Sequence, residues 1–456
     1  MKFFAFNSYR MVPAAMGLLS ILGSGSAFGS EAAEATGLAD YMAGKGDAQF
    51  LKDYGVKWGG WLQTSISKNF NSSPDKFNGP VTFGDRTAEL QVNQLYLYLQ
   101  KAVTTGGDDW DWGGRVDFNY GTDSIFTQAY GVPAFDVRSG AVNTNRGNWD
   151  LHLTSFDDRF YGIALPQAYG ELNIPVGNGL NIKAGHFYTP IGYEVVTAPD
   201  NFFFSKPYTF QFGEPFTHTG VLGNYSIDDN WALMAGAVTA SATGGWDGNW
   251  NRGLGNWDFI GGGTWTSDDK NYSLGITSTA GPTSEQSSNT WALYSLVGKA
   301  NFLDNTLHYI FQHDRGWANN VITANTATNG GFNENAQWYG INQYLMYDVQ
   351  EDLTVGLRGE WFRDNNGFRV NGPARCGAGN NSDAAGVVSS YTCPGYSYPY
   401  AGSNYYEVTA GVTYKPIKWV MLRPNLRYDW TDKVKAFDAG KRTDQFLFSA
   451  DVVILF

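Results

Sequence analysis

The chain has 456 residues, a net charge of −12, 56 glycines, and nearly as many aromatic residues (16%) as charged ones (16%). A soluble chain carries roughly 25% charged residues, so part of this surface meets a solvent other than water, and the acidic balance argues against nucleic acid as a partner. The longest apolar stretch lies within Met11 to Leu22, short of the ~20 residues that a spanning helix needs. Any membrane crossing must be made by strands.

The N-terminus has the layout of an export signal. Lys2 and Arg10 flank a charged n-region, Met11 to Gly23 is a short apolar run, and "SGSAFGS" offers small residues for cleavage. Residues 1–29 are therefore expected to be a removed signal peptide; Pro13 and the brevity of the run speak against a permanent helix. Residues 30–55 are small, polar and acidic, with a weak helical pattern around Leu38 to Leu51, and are expected to form a periplasmic N-terminal segment before a barrel at 56–456.

From Val56 onward the chain is written in segments of alternating polarity separated by turn-formers, the pattern of a transmembrane β-barrel. Sixteen segments are expected, with fourteen as the alternative count. They begin near Trp58, Leu90, Trp110, Ala164, Leu180, Phe216, Trp231, Phe259, Tyr272, Trp291, Leu307, Trp338, Leu353, Tyr406, Val420 and Phe446. The connections after even-numbered segments are short, as in "TTGGDD", "PVGNG", "SIDDN" and "DVQED", whereas most of those after odd-numbered segments are long, as at 121–162, 189–215 and 364–404. A soluble sandwich has no reason to sort its loops by parity. An outer-membrane barrel does, with short periplasmic turns and long external loops.

Within a segment, the period-2 rule assigns the faces. In "WDWGGRVDFNYG", Trp112, Val116 and Phe118 oppose Arg115, Asp117 and Asn119; in "VMLRPNLRYDW", Val420, Leu422, Leu426, Tyr428 and Trp430 oppose Arg423, Asn425, Arg427 and Asp429. In "LTVGLRGEW", Leu353, Val355, Leu357 and Trp361 oppose Thr354, Arg358 and Glu360. The apolar sets are too aromatic and too numerous to fill one soluble interior, so they are expected to face lipid. The polar sets, with Glu171, Lys183 and Glu407, are expected to line an aqueous lumen. Sixteen strands leave such a lumen open, whereas about eight would be filled by side chains.

The chain ends "FLFSADVVILF", which resembles the C-terminal signature of outer-membrane barrels with a terminal Phe456. A closer resemblance runs from Leu165 to Val238, through "PQAY", "GHFYTPIGYE", "NFFFS" and "EPFTHTG". This stretch is similar to the OmpL-like beta-barrel porin family. The resemblance implies an outer-membrane porin and names no solute. Its centre is the third external connection, Tyr193 to Phe212, in which Phe202, Phe203, Phe204, Tyr208, Phe210 and Phe212 would form a large apolar patch in water and should dock on something. By analogy with general porins the segment folds into the barrel as a constriction loop, placing Glu194, Asp200, Lys206 and Glu214 near the narrowest point. The alternative is that the aromatics pack between subunits or at the outer girdle.

Other chemistry is weakly signalled. None of the five histidines (His152, His186, His218, His308, His313) accompanies a G-x-S-x-G or similar nucleophile motif, so an enzyme is not expected. "DGNWNRGLGNWD" places Asp247, Asn249, Asn251 and Asp258 at spacings that only partly mimic a calcium loop, and no metal or cofactor is expected. Cys376 and Cys393, the only cysteines, share a Gly/Ser-rich stretch of an exported chain and are expected to form a loop disulfide. The expected partners are outer-membrane lipid and small hydrophilic solutes, with a homotrimer by analogy with general porins. A plug-bearing transporter of about 22 strands would not fit this length. The alternative function is a structural or adhesive barrel with a closed lumen.

Overall fold

The computed structural model describes residues 54–71, 76–105, 109–127, 161–241, 245, 248–249, 254–283, 289–322, 334–370, 402–438 and 440–456. The expected signal peptide, the N-terminal segment up to residue 53, and Cys376 and Cys393 lie outside the described residues.

The strands are β1 (Val56–Asn69), β2 (Leu90–Lys101), β3 (Asp111–Gly121), β4 (Gly162–Ala164), β5 (Ala168–Ile174), β6 (Leu180–Tyr188), β7 (Thr217–Ser226), β8 (Trp231–Thr239) and β9 (Trp257–Thr266). They continue as β10 (Tyr272–Pro282), β11 (Thr290–Phe302), β12 (Leu307–Ile322), β13 (Glu334–Gln350), β14 (Leu353–Asp364), β15 (Ser403–Ile417), β16 (Val420–Leu422), β17 (Asn425–Thr431) and β18 (Asp444–Leu455). All pair antiparallel in one sheet that closes on itself through β1 and β18.

The eighteen segments make a 16-stranded barrel, because two crossings are interrupted. Both β4 and β5 pair with β3, and Pro166 lies between them; both β16 and β17 pair with β15 and β18, with Pro424 in the gap. A proline has no N–H to give the ladder, so each break is local and the crossing continues beyond it. The sixteen starts expected from the sequence agree with these crossings to within four residues.

The short turns carry local chemistry that closes them tightly. In "PVGNG" Gly177 and Gly179 take left-handed backbone (φ +60° and +90°), open to glycine without a side-chain clash. Between β7 and β8, Asp228 accepts the N–H groups of Asn230 and Trp231 at 2.9 and 2.7 Å, an Asx turn. At the seam the terminal residue completes the ladder: Gly60 and Phe456 exchange both backbone hydrogen bonds at 2.9 Å.

Candidate functional site

The two faces of the wall separate as the alternation demands. On β3, Trp112 and Val116 are 66% and 49% exposed, while Asp117 and Asn119 are fully buried. On β14 and β17, Leu357, Leu426 and Tyr428 are exposed, and Arg358, Glu360, Arg427 and Asp429 are buried. One stretch of the inner face is apolar instead: Leu222, Met234 and Ile260, from β7, β8 and β9, pack with Phe187 and Val238. The alternation does not signal this patch, since inward apolar residues there sit between outward ones and erase the period.

The connection between β6 and β7, residues 189–216, folds inward and lies on the inner wall. Its base is tied by Thr189 N–H to the Phe216 carbonyl at 3.0 Å and by the Thr189 hydroxyl to His218 Nε2 at 2.8 Å. From there the loop is held chiefly by its backbone. Gln94 of β2 donates to the Val196 carbonyl at 2.7 Å and accepts from Ala198 N–H at 3.1 Å. Arg423 donates to the carbonyls of Ala198 and Asn201 at 2.6 and 2.7 Å, Thr413 of β15 to that of Phe202 at 2.7 Å, and Arg358 to that of Ser205 at 2.7 Å. Arg427 donates to the Lys206 carbonyl. Glu360 accepts Thr209 N–H at 2.6 Å, Asp429 accepts the Tyr208 hydroxyl at 2.8 Å, and Trp338 of β13 donates to the Gly213 carbonyl at 2.9 Å.

These wall groups are fixed in turn by ion pairs. Arg358 meets Glu407 at 2.9 Å and the loop's own Glu194 at 2.8 Å; Arg427 meets Asp429 at 2.7 Å; Arg423 meets Asp451 at 2.5 Å. Lys206 pairs with Glu194 at 3.1 Å. A guanidinium with five donors can hold a carboxylate on one edge and loop carbonyls on the other, and all three arginines do so. The loop aromatics Phe202, Phe203, Phe204, Tyr208, Phe210 and Phe212 are all buried. Phe203 faces the Arg358 guanidinium at 5.0 Å and Tyr208 that of Arg427 at 5.1 Å.

The expected lining residues therefore fall into two groups. Arg358, Glu360, Glu407, Arg423, Arg427 and Asp429 stand beneath the loop and anchor it. Arg115, Glu171 and Lys183 stand on β3, β5 and β6 and are part-exposed. Arg115 pairs with the buried Asp117 at 2.7 Å and lies 4.6 Å over the Tyr98 ring; Lys183 lies 4.4 Å over Tyr169 and opposite Glu171 in register. Of the four loop residues, Glu194, Lys206 and Glu214 are buried, and Asp200 is half-buried, hydrogen-bonded by Thr197 at 2.6 Å. Sequence reasoning passed over Lys299 of β11, whose ammonium stands 5.3 Å over Tyr193, and Asp451, the partner of Arg423. Both were legible by parity, on the same face as Ser295 and Ser449. Asn249 is engaged by His218 at 2.8 Å and Asp258 by Trp291 at 2.9 Å, so these two members of the calcium-like stretch are committed to protein partners.

A family profile described as "Putative beta-barrel porin-2, OmpL-like" matches residues 55–456. The chain belongs to this family. It is an outer-membrane porin, a channel for passive diffusion of small hydrophilic solutes and ions across the bacterial outer membrane. The chain is similar in fold to the anion-selective porin from Comamonas acidovorans, at 10% identity and a TM-score of 0.52, over 88% of this chain and 99% of that one. It is likewise similar to OprB of Pseudomonas putida, at 12% identity and a TM-score of 0.52, over 91% of this chain and 97% of that one. At such identities the likeness is one of fold. A comparison with curated proteins returns no match. In this porin the loop lies against the side running from β11 through β18 to β1 and β2, and among the described residues its hydrogen bonds to the strands fall on that side apart from its base at His218 of β7.

Proposed function

We propose that the inserted loop 189–216 is the constriction, and that solutes pass between it and the wall of β3 to β10. The observation that carries this reading is the capture of loop carbonyls by three wall arginines, Arg358, Arg423 and Arg427. A segment held in that way is a fixed part of the passage. The groups a solute meets are then Arg115, Glu171 and Lys183 on the wall, Asp200 on the loop and Lys299 at its edge. Charges of both signs, the cations lying over tyrosine rings, suit small hydrophilic solutes and ions, and which of them meet at the narrowest ring sets the selectivity. Single-channel recording in a planar bilayer tests the reading. Deleting residues 198–211 should raise conductance; unchanged conductance with an intact barrel would remove the constriction.

The reading is of a channel with no catalytic role, matured by removal of residues 1–29, with 30–55 on the periplasmic side. N-terminal sequencing of protein recovered from outer membranes tests the cleavage. A homotrimer is the assembly proposed, and the mass of the detergent-solubilised, unheated protein decides it.

A further inference from the structure

Glu214 stands at the end of the inserted loop and Asp314 on the inner face of β12; both are enclosed, at 1% and 0% exposure. Gln312 bridges them. Its Nε2 donates to Asp314 Oδ1 at 2.9 Å and to Glu214 Oε1, while its carbonyl accepts Tyr193 N–H, from the beginning of the loop, at 3.3 Å. Ser295 of β11 donates to Asp314 Oδ1 at 2.5 Å. The remaining oxygens, Glu214 Oε2 and Asp314 Oδ2, receive no donor from any described residue. A side chain at Gly192 would put its Cβ 2.1 Å from Glu214 Oε2, so this carboxyl is pressed between the two ends of the loop.

Among the described residues, the charged groups around the pair are engaged elsewhere. Glu194, on the loop, is engaged by Lys206 and Arg358. Lys299, on the inward face of β11, stands over Tyr193. His313 of β12 shares the outward parity and bonds Tyr294 and the Gly340 carbonyl. Trp338, Gly340 and Asn342 of β13, and Thr277 and Thr279 of β10, are uncharged. Two neighbouring carboxyls enclosed in this way do not both ionise at neutral pH. One proton held by the pair removes the repulsion and gives it a donor of its own.

We propose that Glu214 and Asp314 share one proton at neutral pH, and that this proton latches both ends of the loop to β11 and β12, so that alkaline solution loosens the loop and widens the channel. The widening rests on the constriction reading above; the shared proton does not. Burial, with the neighbouring Asp314 carboxyl, pushes Glu214 well above the usual carboxylate range, in the direction the geometry requires.

The test uses the full-length barrel in lipid, wild type and the variants Asp314→Asn and Glu214→Gln, each checked for heat-modifiable folding. The side-chain amide introduced by Asp314→Asn can donate permanently where the proton did. Infrared difference spectra of the wild type should contain a protonated-carboxyl band at pH 7 that disappears in alkaline solution, and that both variants lack. Wild-type conductance should step upward over the same range, and Asp314→Asn should stay flat. No band at pH 7, a band that both substitutions leave in place, or a band displaced by added calcium overturns the shared proton. A band without a conductance step overturns the latch if deleting 198–211 still raises conductance. If that deletion has no effect either, the constriction reading fails while the shared proton stands.

Discussion

Gly356 and Gly411 are paired across β14 and β15, and the rings of Phe202 and Phe203 occupy the space their side chains would take. A Cβ at Gly356 would lie 2.4 Å from the Phe202 ring, and one at Gly411 3.1 Å from that of Phe203. On β13 a Cβ at Gly340 would lie 2.4 Å from the Thr209 hydroxyl. The wall is hollowed by glycines where the loop lies on it. Gly356→Leu should therefore lift the loop without breaking the ladder, which uses only backbone groups. Chymotrypsin should cut the folded variant at Phe202 to Phe204 and spare the wild type, and conductance should move toward that of the loop deletion.

Arg358 carries two carboxylates and a loop carbonyl while fully buried. Removing one partner of a buried pair costs about 3–5 kcal/mol, because the other charge is left uncompensated. In Arg358→Met, Glu194 keeps Lys206 at 3.1 Å, and Glu407 keeps the Thr409 hydroxyl and, as its nearest cation, Arg427 at 3.9 Å. The loss should appear as loop release, read by chymotrypsin and by noisier single-channel current, with the barrel still heat-modifiable. A quiet, protease-resistant variant would mean that the other anchors suffice.

Lys183 and Lys299 have no carboxylate within ion-pair distance among the described residues, and each lies over a tyrosine. Lys183→Glu and Lys299→Glu should shift the reversal potential in a salt gradient toward cations. Lys57, at the start of β1 and exposed, is the control: its reversal should leave the potential nearly where it was.

The seam between Gly60 and Phe456 leaves little room, since a Cβ at Gly60 would lie 2.8 Å from the Phe456 ring and 2.0 Å from the Tyr96 carbonyl. Gly60→Leu, or removal of Phe456, should lower the yield of the heat-modifiable form in outer membranes. An undiminished yield would show that closure does not depend on this contact.

The cysteine pairing is a sequence-based proposal. Thiol labelling of the denatured, unreduced protein should find Cys376 and Cys393 blocked, and reduction should leave the barrel heat-modifiable, because the ladder does not use the bond.

The crossings were legible because a strand between lipid and water must alternate, and residues such as Trp112 and Asp117, or Tyr428 and Asp429, record that period directly. The parity of loop lengths was legible because it is a count along the chain. The aromatic run at 202–204 announced that the third loop must dock. Where it docks was decided by partners far away in sequence: the carbonyl of Ser205 meets Arg358, that of Ala198 meets Arg423, and the ring of Phe202 meets the hollow at Gly356. Parity places Arg115 and Arg358 on the same polar face and cannot tell a side chain that meets solute from one that holds a loop. That difference arises only when the closed barrel brings β14 to β18 across from the loop, and burial then commits each arginine to the carboxylates and carbonyls within its reach.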